Sequence, residues 1–335
     1  MLTRHPANPV LKHTDCPFPA TTVFNAGVAR HEGRYVMLFR NDYGRWGDPN
    51  FDGTNLGLAT SADGITWDVA AKPVLDTERA RAGLAHLVDS RFGPEEIRRV
   101  YDPRITVIEG RPHVCFAVDT RHGILGGVAV TDDFSRYEFL CLSAPDNRNM
   151  VLFPERFGGR YLRLERPFPI YGRGAPEAFD LWASYSPDLR HWGETRLVLG
   201  SEELPFVNNK IGPAVPPVRT SRGWLAPIHA VFKDPARRLH GWEANPWTKT
   251  YYAGLMLLDL EDPRRVIGLM RRPLLAPEAI YEREGFRGDV IFPCGFVVED
   301  SGEARLYYGA ADTCVALATG HVDELVAACE PLPSR

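Results

Sequence analysis

The chain has 335 residues, 44% hydrophobic and 24% charged, an ordinary composition for a folded globular protein and unlike a disordered one. Its formal net charge of -4 lacks the basic excess of a general nucleic-acid binder. With 30 Gly, 28 Pro, 17 Phe, 12 Tyr and 7 Trp, it favours many short strands and turns over long helices.

The N-terminal MLTRHPANPVLKH has no apolar signal core, and no stretch approaches the ~20 apolar residues of a membrane span. Cys16, Cys115, Cys141, Cys294, Cys314 and Cys329 are scattered without C-x-x-C spacing. That argues against a zinc site and fits a cytoplasmic, reducing address with no membrane partner.

A repeated unit emerges along the chain. The first unit has an apolar segment from Asn25 to Ala29, a turn at His31-Glu32-Gly33-Arg34, a return over 34–40 and a third run over 56–61. The turn Ser61-Ala62-Asp63-Gly64-Ile65-Thr66-Trp67 follows, its ring placed to cover an outer strand. Asp76 to Val100 is helix-compatible and reads as an insertion. The second unit runs over 105–108, turns at Glu109-Gly110-Arg111, and continues over 111–118 and 126–131. The third uses 150–153, Gly158-Gly159-Arg160, 160–166 and 181–186, then Ser186 to Trp192, a second copy of the Asp turn. The fourth uses 214–218, Ser221-Arg222-Gly223, 223–231 and 253–260. The fifth uses 290–298, Ser301-Gly302-Glu303, 304–311 and 315–320.

Five such units predict an all-β fold, a five-bladed β-propeller with a short helical insertion, in preference to a sandwich. The whole of 1–335 is then one domain. In a propeller the innermost strands line a channel, so polar residues at their starts are candidates. Asn25 and Asp102 each lie eight residues before a turn glycine, Gly33 or Gly110. Asp289 and Asn209-Lys210 hold comparable places. A second set sits where the next strands end: Arg40-Asn41-Asp42, Asp119 to His122, Arg163 with Arg166, and His229. Asp146-Asn147-Arg148-Asn149 enters the third unit. A carboxylic acid beside Arg and Lys suits protonation of a glycosidic oxygen together with binding of a phosphate nucleophile. Structural ion pairs are the alternative for any one of these residues.

Eleven segments in order carry a family resemblance: FNAGVAR (24–30), LFRND (38–42), LGLATSADGITW (56–67), YDPRIT (101–106), DTRHG (119–123), DNRNMVLFPE (146–155), RLERP (163–167), KIGPAVPP (210–217), YAGLMLLDLEDP (252–263), IFPCGF (291–296) and YYGAADT (307–313). The chain resembles glycoside hydrolase family 130, the mannoside phosphorylases. DNRNMVLFPE, RLERP and LMLLDLEDP most resemble the 4-O-β-D-mannosyl-D-glucose phosphorylases. The resemblance implies inverting phosphorolysis to α-mannose 1-phosphate and glucose. It implies Asp102 as the acid, passing its proton through the mannosyl 3-hydroxyl. It implies phosphate binding by Arg148, Arg166 and Lys210, flanked by His229, Tyr101 and Asn149. Asn41, Asp42 and Asp289 would hold the mannosyl ring, and Arg45 with Arg40 would reach the acceptor. It gives Arg121 and His122 no role.

Hydrolase members carry acidic residues where Arg148, Arg166 and Lys210 stand, which favours phosphorolysis here. The segment Gly44-Arg45-Trp46-Gly47-Asp48-Pro49 is expected to select the acceptor, with Trp46 either stacking on a sugar or packing in its loop. Alternative substrates for the same phosphorolysis are mannobiose, manno-oligosaccharides and mannosyl-N-acetylglucosamine. A β-mannoside hydrolase and a non-catalytic propeller are further alternatives. The expected ligands are a β-mannoside disaccharide and phosphate, the latter a co-substrate, with no metal or organic cofactor. The resemblance also implies a homo-oligomer.

Overall fold

The computed structural model describes residues 1–46, 51–88, 92–169, 177–237 and 247–332. Five antiparallel sheets form a five-bladed β-propeller. From the channel outwards, blade 1 has strands Thr22–His31, Arg34–Tyr43, Gly53–Ser61 and Asp68–Val69. Blade 2 has Ile97–Ile108, Arg111–Thr120, Gly123–Val130 and Glu138–Leu142. Blade 3 has Asn147–Leu152, Tyr161–Pro167, Leu181–Ser186 and Gly193–Leu199. Blade 4 has Ile211–Pro213 and Val218–Arg219 against Trp224–Lys233, then Lys249–Leu258 and Val266–Leu269. Blade 5 has Ile291–Val298, Glu303–Ala310 and Cys314–His321.

The turn signals are real. Glu32-Gly33 and Glu109-Gly110 have φ of 49° and 77°, and 53° and 80°, the left-handed pair that matches the twist of a two-residue hairpin. The Asp turns are Asx turns: Asp63 Oδ1 accepts from the amides of Ile65 and Thr66, and Asp188 Oδ1 from those of Arg190 and His191. Trp67 does not cap an outer strand. Its ring packs edge-on against Tyr35 of blade 1 and Tyr307 of blade 5, wedging the two blades together.

Apolar residues on facing sheets close each junction. Leu38, Ile105 and Phe116 join blades 1 and 2, and Cys115, Val128 and Leu152 join blades 2 and 3. Leu162, Trp224 and Ile228 join blades 3 and 4, and Leu255, Ile291 and Leu306 join 4 and 5. Val28, Met37 and Leu317 close blade 5 onto blade 1. The insertion is a helix over Thr77–Leu84, capped by Asp76, whose Oδ1 accepts from the Arg79 amide. It buries Ala80 and Leu84 against the first junction. Ile97 to Val100, expected inside the insertion, already belong to the innermost strand of blade 2.

Two further features depart from expectation. The innermost run of blade 4, expected over 214–218, is split because Pro216 and Pro217 have no amide to donate to a ladder. Blade 5 takes its outer strand from the other end of the chain: Thr3–Arg4 pairs with Cys314–His321, Arg4 opposite Ala318. Among the described residues no helix is long and apolar enough to cross a membrane.

Candidate active site

The innermost strands of blades 1, 2 and 3 share a device. Each has a register shift, between Phe24 and Gly27, Tyr101 and Arg104, and Arg148 and Val151. Within these shifts Asn25, Asp102 and Asn149 have φ of 48°, 53° and 60°. Asn and Asp tolerate the left-handed region better than most residues, and a bulge re-aims the side chain it carries. All three line one cavity of about 70 Å³. Phe24, Arg40, Arg148, Arg166, Trp247, Tyr251, Arg287, Phe292 and Asp312 also line it.

Asp102 is the centre of a donor network. Its Oδ1 accepts from Asn25 Nδ2 at 3.0 Å and from Arg40 Nη1 at 3.3 Å. Burial alone would raise its proton affinity, but the guanidiniums of Arg40 and Arg104, the Asn25 amide and Arg148 hold it below the usual carboxylate range. Arg40 is fixed by Asp42, whose Oδ2 accepts from Nη2 at 2.7 Å and whose Oδ1 accepts from Thr54 at 2.6 Å.

The basic residues converge beside it. Arg148 and Arg166 line the cavity and face Phe168, at 5.4 and 4.8 Å from the ring centroid. Arg148 Nη1 donates to Tyr101 Oη at 3.2 Å, and Tyr101 donates to Asp119 at 2.6 Å. Burial pushes the Tyr101 phenol up to about 12. Arg166 is 1% exposed and donates from Nη1 to His229 Nε2 at 2.9 Å. Burial and the neighbouring Arg148 push its guanidinium down to about 9. Arg148 Nε and Arg166 Nε and Nη2 are buried without hydrogen-bond partners among the described residues. Lys210 and His229 stand behind the lining. Lys210 Nζ lies 5.8 Å from the ring centroids of both Phe179 and Tyr251. Its ammonium is held well below its usual range by burial, Arg166, Lys249 and Arg148. Burial, Arg166 and Lys210 likewise keep His229 neutral. Because Arg166 can only donate, Nε2 is the acceptor, and Nδ1 donates to the Pro213 carbonyl at 3.3 Å.

A buried group of cations with unused donors suits a multiply charged oxyanion, and the nearby carboxyl suits proton transfer to a leaving oxygen. A profile of the β-1,4-mannooligosaccharide phosphorylase family matches residues 3–331. The chain belongs to this family, glycoside hydrolase family 130. A β-1,4-mannooligosaccharide phosphorylase of Ruminococcus albus is 33% identical over 334 residues, covering 97% of this chain and 90% of the relative. A 4-O-β-D-mannosyl-D-glucose phosphorylase of Bacteroides fragilis is 29% identical, covering 92% of this chain and 75% of that protein. The solved β-1,2-mannobiose phosphorylase of Listeria innocua, complexed with β-1,2-mannobiose, superposes with a TM-score of 0.80 at 26% identity, over 98% of this chain and 99% of that one. As a family-130 glycoside phosphorylase, the protein transfers a glycosyl group to phosphate.

Several residues of this family-130 chain expected to contact sugar are outside the lining of that cavity. Asn41 points away from the cavity and donates to the Pro19 carbonyl and Asn55 Oδ1, both at 3.0 Å. Asp42 is fully buried behind Arg40. Asp289 pairs with Arg237, and its carbonyl accepts from the Tyr251 amide at 2.9 Å. Arg45 and Trp46 are exposed and outside the lining, and residues 47–50 fall outside the described residues. Arg163 pairs with Glu165 at 2.8 Å. Arg121 pairs with Glu96 at 2.7 Å, and His122 packs edge-on against Phe92. Sequence reasoning missed Arg287, Asp312, Trp247 and Tyr251. Asp312, inside YYGAADT, accepts from Arg287 Nη1 at 3.1 Å, and burial raises its proton affinity. Its φ of 48° is left-handed, as at Asn25.

Proposed function

We propose that the five blades act as one catalytic domain for inverting phosphorolysis of a β-mannoside, with Asp102 as the acid. The observation that carries this is the cavity in which Asp102 faces the unused donors of Arg148 and Arg166. Phosphate on those two forks attacks the anomeric carbon opposite the leaving group. The glycosidic C–O bond breaks as Asp102 gives its proton to the departing oxygen, yielding α-mannose 1-phosphate and a free acceptor. The anion also readies the acid. Its charge counters the guanidinium field that keeps Asp102 ionised, so proton affinity rises once the nucleophile is seated. Lys210 adds charge from behind, His229 fixes the Arg166 fork, and Tyr101 with Asn149 frames Arg148. Arg40 and Asp312 supply hydrogen-bonding groups for sugar hydroxyls.

For the acceptor side, the match over residues 3–331 and the Ruminococcus relative favour a β-1,4-mannooligosaccharide. The DNRNMVLFPE and RLERP segments favour mannosylglucose as the second reading. A cytoplasmic address is consistent with the product, since a charged sugar phosphate is retained inside the cell. The test incubates β-1,4-mannobiose, β-1,4-mannotriose and 4-O-β-D-mannosyl-D-glucose with and without phosphate. The expected products are α-mannose 1-phosphate and the shortened acceptor, formed only with phosphate. Release of free mannose without phosphate would support hydrolysis instead.

A further inference from the structure

We infer that Asn25 is a positioning residue for the acid: it pins Asp102 Oδ1 and so confines the transferable proton to Oδ2. This rests on the reading of Asp102 as the acid. Oδ1 already accepts two N–H groups, from Asn25 Nδ2 at 3.0 Å and Arg40 Nη1 at 3.3 Å. A proton on Oδ1 would point at donors, so the neutral carboxyl must carry it on Oδ2.

The fold builds a seat for this amide. Asn25 and Asp102 occupy the same bulge position in neighbouring blades, with φ of 48° and 53°. The Asn25 carbonyl accepts from Arg104 Nη1 at 3.3 Å, which holds the bulge from inside the channel. Blade 5 leaves room through Gly309, where an added Cβ would stand 2.7 Å from Asn25 Oδ1 and 3.1 Å from Asn25 N. The glycine of YYGAADT is thus required by the amide next to the acid. Arg40 spends Nε and Nη2 on Asp42 and reaches Asp102 Oδ1 through Nη1 at 3.3 Å, longer than the 3.0 Å contact from Asn25.

The charged and titratable groups around Asp102 come from four blades. Arg40 comes from blade 1, Tyr101 and Arg104 from its own strand, Arg148 and Arg166 from blade 3, and Asp312 with Cys294 from blade 5. Against this background the Asn25 amide favours the ionised carboxylate, so its loss raises the proton affinity of Asp102. The acid must be protonated to act, so activity then persists to higher pH.

The experiment is the pH profile of kcat/KM on β-1,4-mannobiose and phosphate for wild type, Asn25→Gly, Asn25→Asp and Asp102→Asn. Glycine and aspartate both accept the left-handed backbone. In Asn25→Gly the alkaline limb should move up by about one pH unit, with kcat down about tenfold and the KM for phosphate within about twofold. Asn25→Asp, which adds a like charge, should move the limb further. A limb unmoved in both variants while Asp102→Asn is inactive overturns the positioning role and leaves the acid in place. An active Asp102→Asn overturns the acid reading and this inference with it.

Discussion

His229 is a neutral acceptor, and that changes what it does for phosphate. An imidazolium would repel Arg166, whereas the neutral ring accepts its Nη1 and stacks on Phe292 at 4.7 Å. Charge comes instead from Arg148, Arg166 and Lys210. Lys210 is depressed by burial and by the two arginines, so an arriving anion draws a proton onto it. Its Lys210→Met variant should raise the KM for phosphate about tenfold, with a smaller effect on the mannoside KM. Equal losses on both substrates in steady-state kinetics would contradict this placement. Arg148 and Arg166 were legible through the resemblance that the DNRN and RLERP segments carry. Arg287 and Asp312 were not, since their pairing joins segments 25 residues apart that only the folded blade brings together.

Strand periodicity explains why neighbouring residues find different partners. Arg40, Asn41 and Asp42 are contiguous in a motif, but a strand sends successive side chains to opposite faces. Arg40 reaches Asp102, Asn41 turns to Asn55, and Asp42 backs up Arg40. The hairpin turns were readable because Gly33 and Gly110 mark left-handed pairs. The outer strand Thr3–Arg4 was invisible: two residues have no periodicity. Its anchor is nonetheless strong. Arg4 donates to both oxygens of Glu282, at 2.8 and 2.9 Å, and Glu282 is fully buried while also accepting from Tyr308. Burial would raise Glu282, but Arg4 and the surrounding donors hold it below its usual range. Its contribution is therefore full above the unfolded carboxylate value and is lost as pH falls through the lowered folded value. Arg4→Ala should cost about 3 kcal/mol at neutral pH in denaturant titrations, because it strands a buried carboxylate. A loss below about 0.5 kcal/mol would mean that the closure is peripheral.

For the whole molecule, the ring is what makes the site. Asn25 and Arg40 come from blade 1, Asp102 from blade 2, Arg148 and Arg166 from blade 3, and Asp312 from blade 5, with Lys210 and His229 of blade 4 behind them. No single blade holds both acid and anion donors, so the chemistry depends on apolar junctions that keep the blades in register. The five-fold repetition was evident in the sequence, whereas the inward convergence of these groups depended on bulges that composition does not mark. The central claim, that Asp102 is the acid beside an independent phosphate site, is tested most directly by Asp102→Asn. Turnover of β-1,4-mannobiose and phosphate should fall at least about a thousandfold, while calorimetric phosphate binding persists. Turnover near the wild-type rate in that variant would contradict the account.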